Sequence, residues 1–136
     1  MKNKQINDNN NSINTMIDKR FLTRSEFQCM LNLWNLNTKG GFVRDIQEGF
    51  ENPKPAYTTT ATFMKILVRK GFCKAEKVGA MQYYSPKITK KAYCKRVMDK
   101  ALGDYFDGDV AKFVGFLLEQ TAPNDEQKEA ISAMLR

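Results

Sequence analysis

The stretch Pro53-Lys54-Pro55-Ala56-Tyr57-Thr58-Thr59-Thr60-Ala61-Thr62-Phe63-Met64-Lys65-Ile66-Leu67-Val68-Arg69-Lys70-Gly71 decides how the rest of the chain is read. It has the marks of one helix of about four turns, with prolines before it, threonines available as N-caps and a glycine where it stops. With Thr58 as the zero of a helical wheel and about 100° per residue, Thr62, Lys65 and Arg69 fall within roughly 40° of it. Thr60, Phe63, Met64 and Leu67 gather on the opposite side. One face can pack; the other carries hydroxyls and cations and no acid. Surface helices normally mix signs at i,i+4 spacing, and threonine loses rotamer freedom on a solvated helix. Such a stripe suits a helix that meets phosphates and base edges at close range. A solvated face that is merely threonine-rich is the plainer alternative, and on the stripe alone the two stand level.

The flanking elements separate them. Upstream, Thr23 and Glu26 have capping-box spacing, and Phe27, Met30, Leu31 and Trp34 follow at i, i+3, i+4, i+7. A helix is expected from there to about Asn37, stopping in Thr38-Lys39-Gly40-Gly41, with Trp34 anchoring the core rather than serving as a stacking platform. A shorter helix is expected from Phe42 to about Phe50, burying Val43, Ile46 and Phe50. After Gly71 the pattern turns extended: Phe72–Lys77 and Met81–Pro86 flank Val78-Gly79-Ala80 and predict a β-hairpin. Three helices followed by a hairpin is the order of a winged helix-turn-helix module, whose third helix enters the major groove while the hairpin flanks it along the backbone. Lys74 and Lys77 then stand where phosphate contact is expected. An ordinary edge ribbon guarded by lysines is compatible with the same pattern.

From Thr89 the chain is helical again, with Tyr93, Val97 and Ala101 or Leu102 along one side as far as about Tyr105. Asp107-Gly108-Asp109 breaks it. Val110 to Gln120 then carries Val110, Phe113, Val114, Phe116, Leu117 and Leu118, apolar over more than one face. After Thr121-Ala122-Pro123, Asn124 and Gln127 open a last helix with Ala130, Ile131, Met134 and Leu135. Three such helices cannot hide this much apolar surface by themselves. The economical cover is a second copy, giving a two-fold dimer through residues 89–136 and a face made of Tyr93, Val97, Val110, Phe113, Val114, Phe116, Leu117, Ile131 and Leu135. Packing against the first domain of the same chain is the rival, and a small apolar effector between these helices is a further option.

Charge and composition narrow the function. Residues 21–90 carry eleven cations against five anions, whereas residues 91–136 carry seven against eight, within a total of +7. The basic middle fits a nucleic-acid-facing part joined to something with another job. The absence of histidine removes imidazole acid–base catalysis, Ser-His and Cys-His pairs and imidazole-dependent zinc sites. Cys29, Cys73 and Cys94 are widely spaced, fit neither a metal knuckle nor a disulfide framework, and are expected as buried or half-buried free thiols. No cofactor is implied, and no convergent carboxylate pair suggests an enzyme. Without a long apolar run or a signal-peptide pattern, the chain reads as a soluble cytoplasmic protein with no stable membrane association. Residues 1–20 are expected as a flexible Asn-rich arm, in which Lys2, Lys4, Lys19 and Arg20 can add phosphate contacts.

Particular residues also carry a family resemblance. Leu22-Thr23-Arg24-Ser25-Glu26-Phe27 with Met30 and Leu33-Trp34 resembles the opening signature of the penicillinase-repressor family, known as BlaI/MecI/CopY. Pro55-Ala56-Tyr57-Thr58-Thr59, Thr62 and Lys70-Gly71-Phe72 resemble its recognition-helix signature, and Tyr83-Tyr84-Ser85-Pro86 its wing exit, so the likeness covers about residues 21–120. It implies a homodimeric winged-helix repressor of palindromic double-stranded operator DNA, controlling β-lactamase or related resistance genes. It further implies a membrane sensor metalloprotease encoded nearby and induction by cleavage within the dimerisation region. Thr58, Thr59 and Thr62 match the family's DNA-contacting threonines, and Lys65 falls where many members place a basic or polar contact. Val114-Gly115-Phe116-Leu117 stands where the best-known members carry the cleaved Asn-Phe bond, without the asparagine. No cysteine follows Cys94, whereas clustered C-terminal cysteines mark the copper-responsive branch.

The expectation is therefore a mainly α protein with a small β-hairpin wing. A winged helix-turn-helix DNA-binding domain at 21–88 is joined to a helical dimerisation domain at 89–136. Thr58, Thr59, Thr62, Lys65, Arg69, Lys74 and Lys77 form the DNA-binding set. The alternative is a winged-helix interaction module whose same face binds an acidic protein partner.

Overall fold

A computed structural model describes residues 18–136, so the arm expected over 1–20 lies outside the described residues except for Asp18, Lys19 and Arg20. Arg20 pairs with Asp18 at 2.8 Å, which occupies one of the cations offered as a phosphate contact. The described elements run α1 (Arg24–Trp34), β1 (Gly41–Phe42), α2 (Val43–Glu48), α3 (Tyr57–Arg69), β2 (Cys73–Val78), β3 (Met81–Pro86), α4 (Lys90–Phe106), α5 (Val110–Thr121) and α6 (Asp125–Met134). They divide into two compact units, one ending at Tyr93 and the other spanning Cys94–Arg136. The division falls after the first turn of α4.

Helix α1 starts on the expected capping box. The Thr23 N–H donates to Glu26 Oε1 at 2.9 Å, and the Glu26 N–H donates to Thr23 Oγ1 at 3.3 Å. Its C-cap is Asn35 rather than a residue near Asn37. The second helix is shorter than expected because Gly41 and Phe42 are drawn into a strand. Gly41 sits opposite Tyr84 and Phe42 opposite Tyr83, so the expected two-stranded hairpin is a three-stranded antiparallel sheet of order β1-β3-β2. Gly40 makes this approach feasible, since a Cβ there would run into the Tyr84 carbonyl. The hairpin itself pairs Cys73 with Pro86 through to Val78 with Met81, and Gly79 turns it at φ +63°.

The core of the first unit joins Cys29, Met30 and Leu33 of α1, Val43 and Ile46 of α2, and Met64 and Leu67 of α3 to Phe72, Cys73, Tyr84 and Tyr93, all buried. Each fully buried Met or Leu contributes about 1.5–3 kcal/mol. Polar groups inside are matched: the Asn32 side-chain amide donates to the Ile46 carbonyl at 2.9 Å, and the Thr60 hydroxyl to the Ala56 carbonyl at 3.1 Å. Tyr93 was expected on a dimer face. It lies instead at the centre of an aromatic cluster, only 5% exposed. Its ring centroid is 6.1 Å from Phe27, 6.2 Å from Trp34 and 5.6 Å from Phe72, and its hydroxyl accepts from the Leu22 N–H at 2.8 Å.

One buried ion pair links α1 to the residue after α3. Lys70 Nζ, the C-cap of α3, lies 2.6 Å from Glu26 Oε1, and also donates to the Phe21 carbonyl at 2.9 Å. Both side chains are under a tenth exposed. Burial pushes the Glu26 carboxyl upward, but the Lys70 hydrogen bond, the Thr23 backbone bond and the attraction of the Lys70 charge outweigh it, so the net shift is downward. A carboxyl held below its unfolded value of about 4.3 stabilises the fold fully above that value and ceases to do so as pH falls through the lowered folded one. Glu26→Gln leaves an uncompensated buried ammonium and should cost about 3–5 kcal/mol at neutral pH. Urea unfolding at neutral pH and in the acid carboxylate range checks both points: the gap between native sequence and variant narrows on acidification, and a gap independent of pH would contradict the assignment.

Candidate nucleic-acid interface

Helix α3 divides as the wheel requires. Thr60, Met64 and Leu67 are buried, whereas Thr58, Thr59, Thr62, Lys65 and Arg69 are all exposed; four of these share one open stripe, and Thr59 stands about 100° round the helix from Thr58. The threonines do not cap the helix. Ala56 is the N-cap, in extended conformation with no side-chain bond, and places Thr58 and Thr59 inside the first turn. Thr62 is exposed and donates its hydroxyl proton to the Thr58 carbonyl at 2.9 Å, which leaves its oxygen able to accept a further bond. No acid stands in the first turn of α3. Its first-turn N–H groups therefore keep the partial positive charge of a helix start without a side chain to absorb it. Tyr57, 44% exposed at the same end, was not among the expected residues, although its place beside Thr58 is the signal that could have raised it.

The wing is more qualified. Lys74 and Lys77 are both exposed on β2, but Lys74 lies 3.5 Å from Glu76, so its charge is partly met within the strand. The acid at Glu76 sits two residues from Lys74 and on the same side of the strand, a pairing the period-2 rule makes readable. Lys77 takes part in none of the salt bridges among the described residues. Lys70, the C-cap of α3, carries the next positive charge after Arg69, but it is committed to Glu26.

In the second unit, helix α5 has no buried residue, and Val110, Val114, Phe116, Leu117 and Leu118 are exposed. Phe113 is half-buried, its ring 5.0 Å from Phe106, while Phe116 lies 5.3 Å from the same ring. Val97 and Ile131 are half-buried and Leu135 is 84% exposed. Of the residues expected at a dimer face, Tyr93 alone belongs to the core of the first unit.

The thiols also differ from expectation. Cys29 and Cys73 are buried, with burial pushing each up to about 12, which makes them inert; Cys94 is exposed rather than buried or half-buried. Among the described residues no group of three or more His, Cys, Asp or Glu side chains is placed to hold a metal ion, and no helix is long and apolar enough to cross a membrane.

Helix α3 with its outward hydroxyls and cations, preceded by α1 and α2 and followed by the β2–β3 ribbon, defines a winged helix-turn-helix protein. A family model described as Penicillinase repressor matches residues 22–136. The chain belongs to that family, whose members are transcriptional repressors and regulators rather than enzymes. No curated protein matches it in a direct sequence comparison.

The bare N-cap of α3 gives a test of the local geometry. Ala56 already holds the extended backbone of an N-cap, so Ala56→Ser should stabilise the fold by about 1 kcal/mol. Urea midpoints measure it, and an unchanged or lowered midpoint would show that the α3 start is not as described.

Proposed function

We propose that the chain is a homodimeric repressor that binds a palindromic double-stranded operator, with α3 in the major groove and the β2–β3 wing along the backbone. The observation that carries this reading is the open side of α3: a stripe of Thr58, Thr62, Lys65 and Arg69 with exposed Thr59 beside it, no acid, and a helix start without a side-chain cap. Thr58, Thr59, Thr62 and Lys65 read base edges; Arg69, Lys74 and Lys77 supply salt-sensitive affinity, with log K falling by about 0.9 per phosphate neutralised. The DNA-binding domain, expected over 21–88, runs on through Tyr93 at the end of the first compact unit, and the dimerisation domain, expected over 89–136, covers 94–136. The apolar exposure of α5 and α6 supports a second copy as its cover, with Val97, Val110, Phe113, Val114, Phe116, Leu117, Ile131 and Leu135 at the interface. One copy of α3 offers few contacts, so the dimer supplies affinity through effective concentration. Family membership supports control of a β-lactamase or related resistance regulon, relief by proteolysis in the dimerisation domain, and a sensor metalloprotease encoded nearby. Gly115 stands before Phe116 where the best-known members carry the Asn-Phe bond, so the proposal does not place the cut there. The protein acts in the cytoplasm and catalyses no reaction.

A gel shift against the DNA upstream of its own gene, at two salt concentrations, tests the central claim. The absence of any sequence-dependent shift favours a protein-binding module with an acidic partner. Thr62→Ala should remove about 1 kcal/mol of discrimination between operator and random DNA. Lys77→Ala should weaken all sequences alike and lower the salt slope by about 1, and Lys74→Ala should do so less because Glu76 already meets its charge. Equal losses on operator and random DNA for Thr62→Ala and Lys77→Ala would sink that division of labour.

For the dimer, light scattering on the native chain and on a Phe116→Asp/Leu117→Asp variant is decisive. The expected result is a dimer converted to monomer with the first unit still folded. A native chain that is monomeric at micromolar concentration contradicts the account of α5.

A further inference from the structure

We propose that the winged-helix unit carries a small-molecule site between the end of α1 and the segment after β3, shaped for a compact amphipathic anion such as an aromatic carboxylate. An open cleft of about 360 Å³ lies there, lined by Trp34 and Asn35 on one side and by the segment 86–90 on the other. That volume and a predominantly apolar lining with a few polar groups are the attributes of small-ligand pockets.

The walls are held by hydrogen bonds to main-chain carbonyls. The Trp34 indole donates to the Ile88 carbonyl at 3.0 Å, and the Lys87 N–H donates to the Phe72 carbonyl at 2.8 Å. Trp34 is braced behind by Phe27, ring centroids 6.2 Å apart at 66°. A cleft fixed in this way does not have to be assembled by its occupant, which lowers the ordering cost of binding.

Charge selects the occupant. Lys87, Lys90 and Lys91 are exposed, and no acid occurs in the sequence between Glu76 and Asp99. None of the three lysines takes part in the salt bridges among the described residues. A planar ring fits against Trp34 and Ile88 while its carboxylate meets Lys87 and Lys90, the charge-assisted contact that lysine makes best. A neutral ligand forgoes the charge-assisted contacts that a carboxylate makes, and a cationic one is repelled. Because Pro86 closes β3 and Lys90 opens α4, an occupant braces the segment by which the wing is joined to that helix.

Trp34 is the single tryptophan, so its fluorescence and its indole N–H resonance report occupancy directly. The native chain is titrated with phenylacetate and, as the neutral match, with phenylacetamide. A saturable change with phenylacetate is expected, about tenfold weaker with the amide and weakened by added salt. The Lys87→Ala/Lys90→Ala double variant, folded by circular dichroism, should lose the response, and Lys112→Ala should keep it. An equal response to both compounds, a response that survives the double substitution, or no saturation at millimolar phenylacetate overturns the site. No DNA enters the assay, so the outcome is independent of operator binding.

Discussion

The ion pair between Glu26 and Lys70 is the constraint on which the first unit turns. Glu26 is at once the N3 residue of the α1 capping box and the buried partner of the residue that caps α3 at its C-terminus. One carboxylate therefore fixes where α1 begins and where α3 ends. Buried pairs of this kind are weak sources of net stability, because desolvation offsets most of the attraction. Their effect is on geometry: the two ends cannot slide relative to each other without leaving a charge unmatched in the interior. For a helix whose outer face has to meet a partner at hydrogen-bonding range, that registration matters more than a few tenths of a kcal/mol.

A second tie acts on the same unit from the far end. Tyr93 belongs by sequence to the long helix α4, yet its ring is packed among Phe27, Trp34 and Phe72, and its hydroxyl is bound by the Leu22 N–H. The first turn of α4 is thus part of the winged-helix core, which is why the compact unit extends past the wing. With Trp34 bonded to Ile88 and Lys87 bonded to Phe72, the segment from Pro86 to Tyr93 is held at three points.

Much of this was readable from local pattern. The Thr23/Glu26 capping box, the buried and open faces of α3 and the hairpin around Gly79 each follow from residue spacing alone, because each is decided within a few residues. What escaped depends on contacts between distant parts of the chain. Strand β1 has only two residues, too short for any periodicity, and exists because Gly40 lets the chain approach Tyr84. The partner of Lys70 is 44 residues away, so nothing near Lys70 in sequence distinguishes it from the open cations at Lys65 and Arg69. Tyr93 sits in phase with Val97 and reads as one stripe with it, although the two residues fall in different units. The first turn of α3 escaped for another reason: three threonines in a row made a side-chain cap the natural expectation, and the residue that takes the position is Ala56.

The β2–β3 ribbon from Lys74 to Gln82 has every residue exposed. Apart from Gly79, whose positive φ restricts what can replace it, none of these positions is answerable to the packed interior. Substitutions there are screened by whatever the ribbon touches and hardly at all by foldability, whereas Gly40, Glu26 and Lys70 are under the opposite regime. Within one small unit, then, the evolutionary freedom to acquire a new target and the obligation to keep the fold rest on separate sets of residues, and the ribbon can change its preferences without endangering the scaffold that carries it.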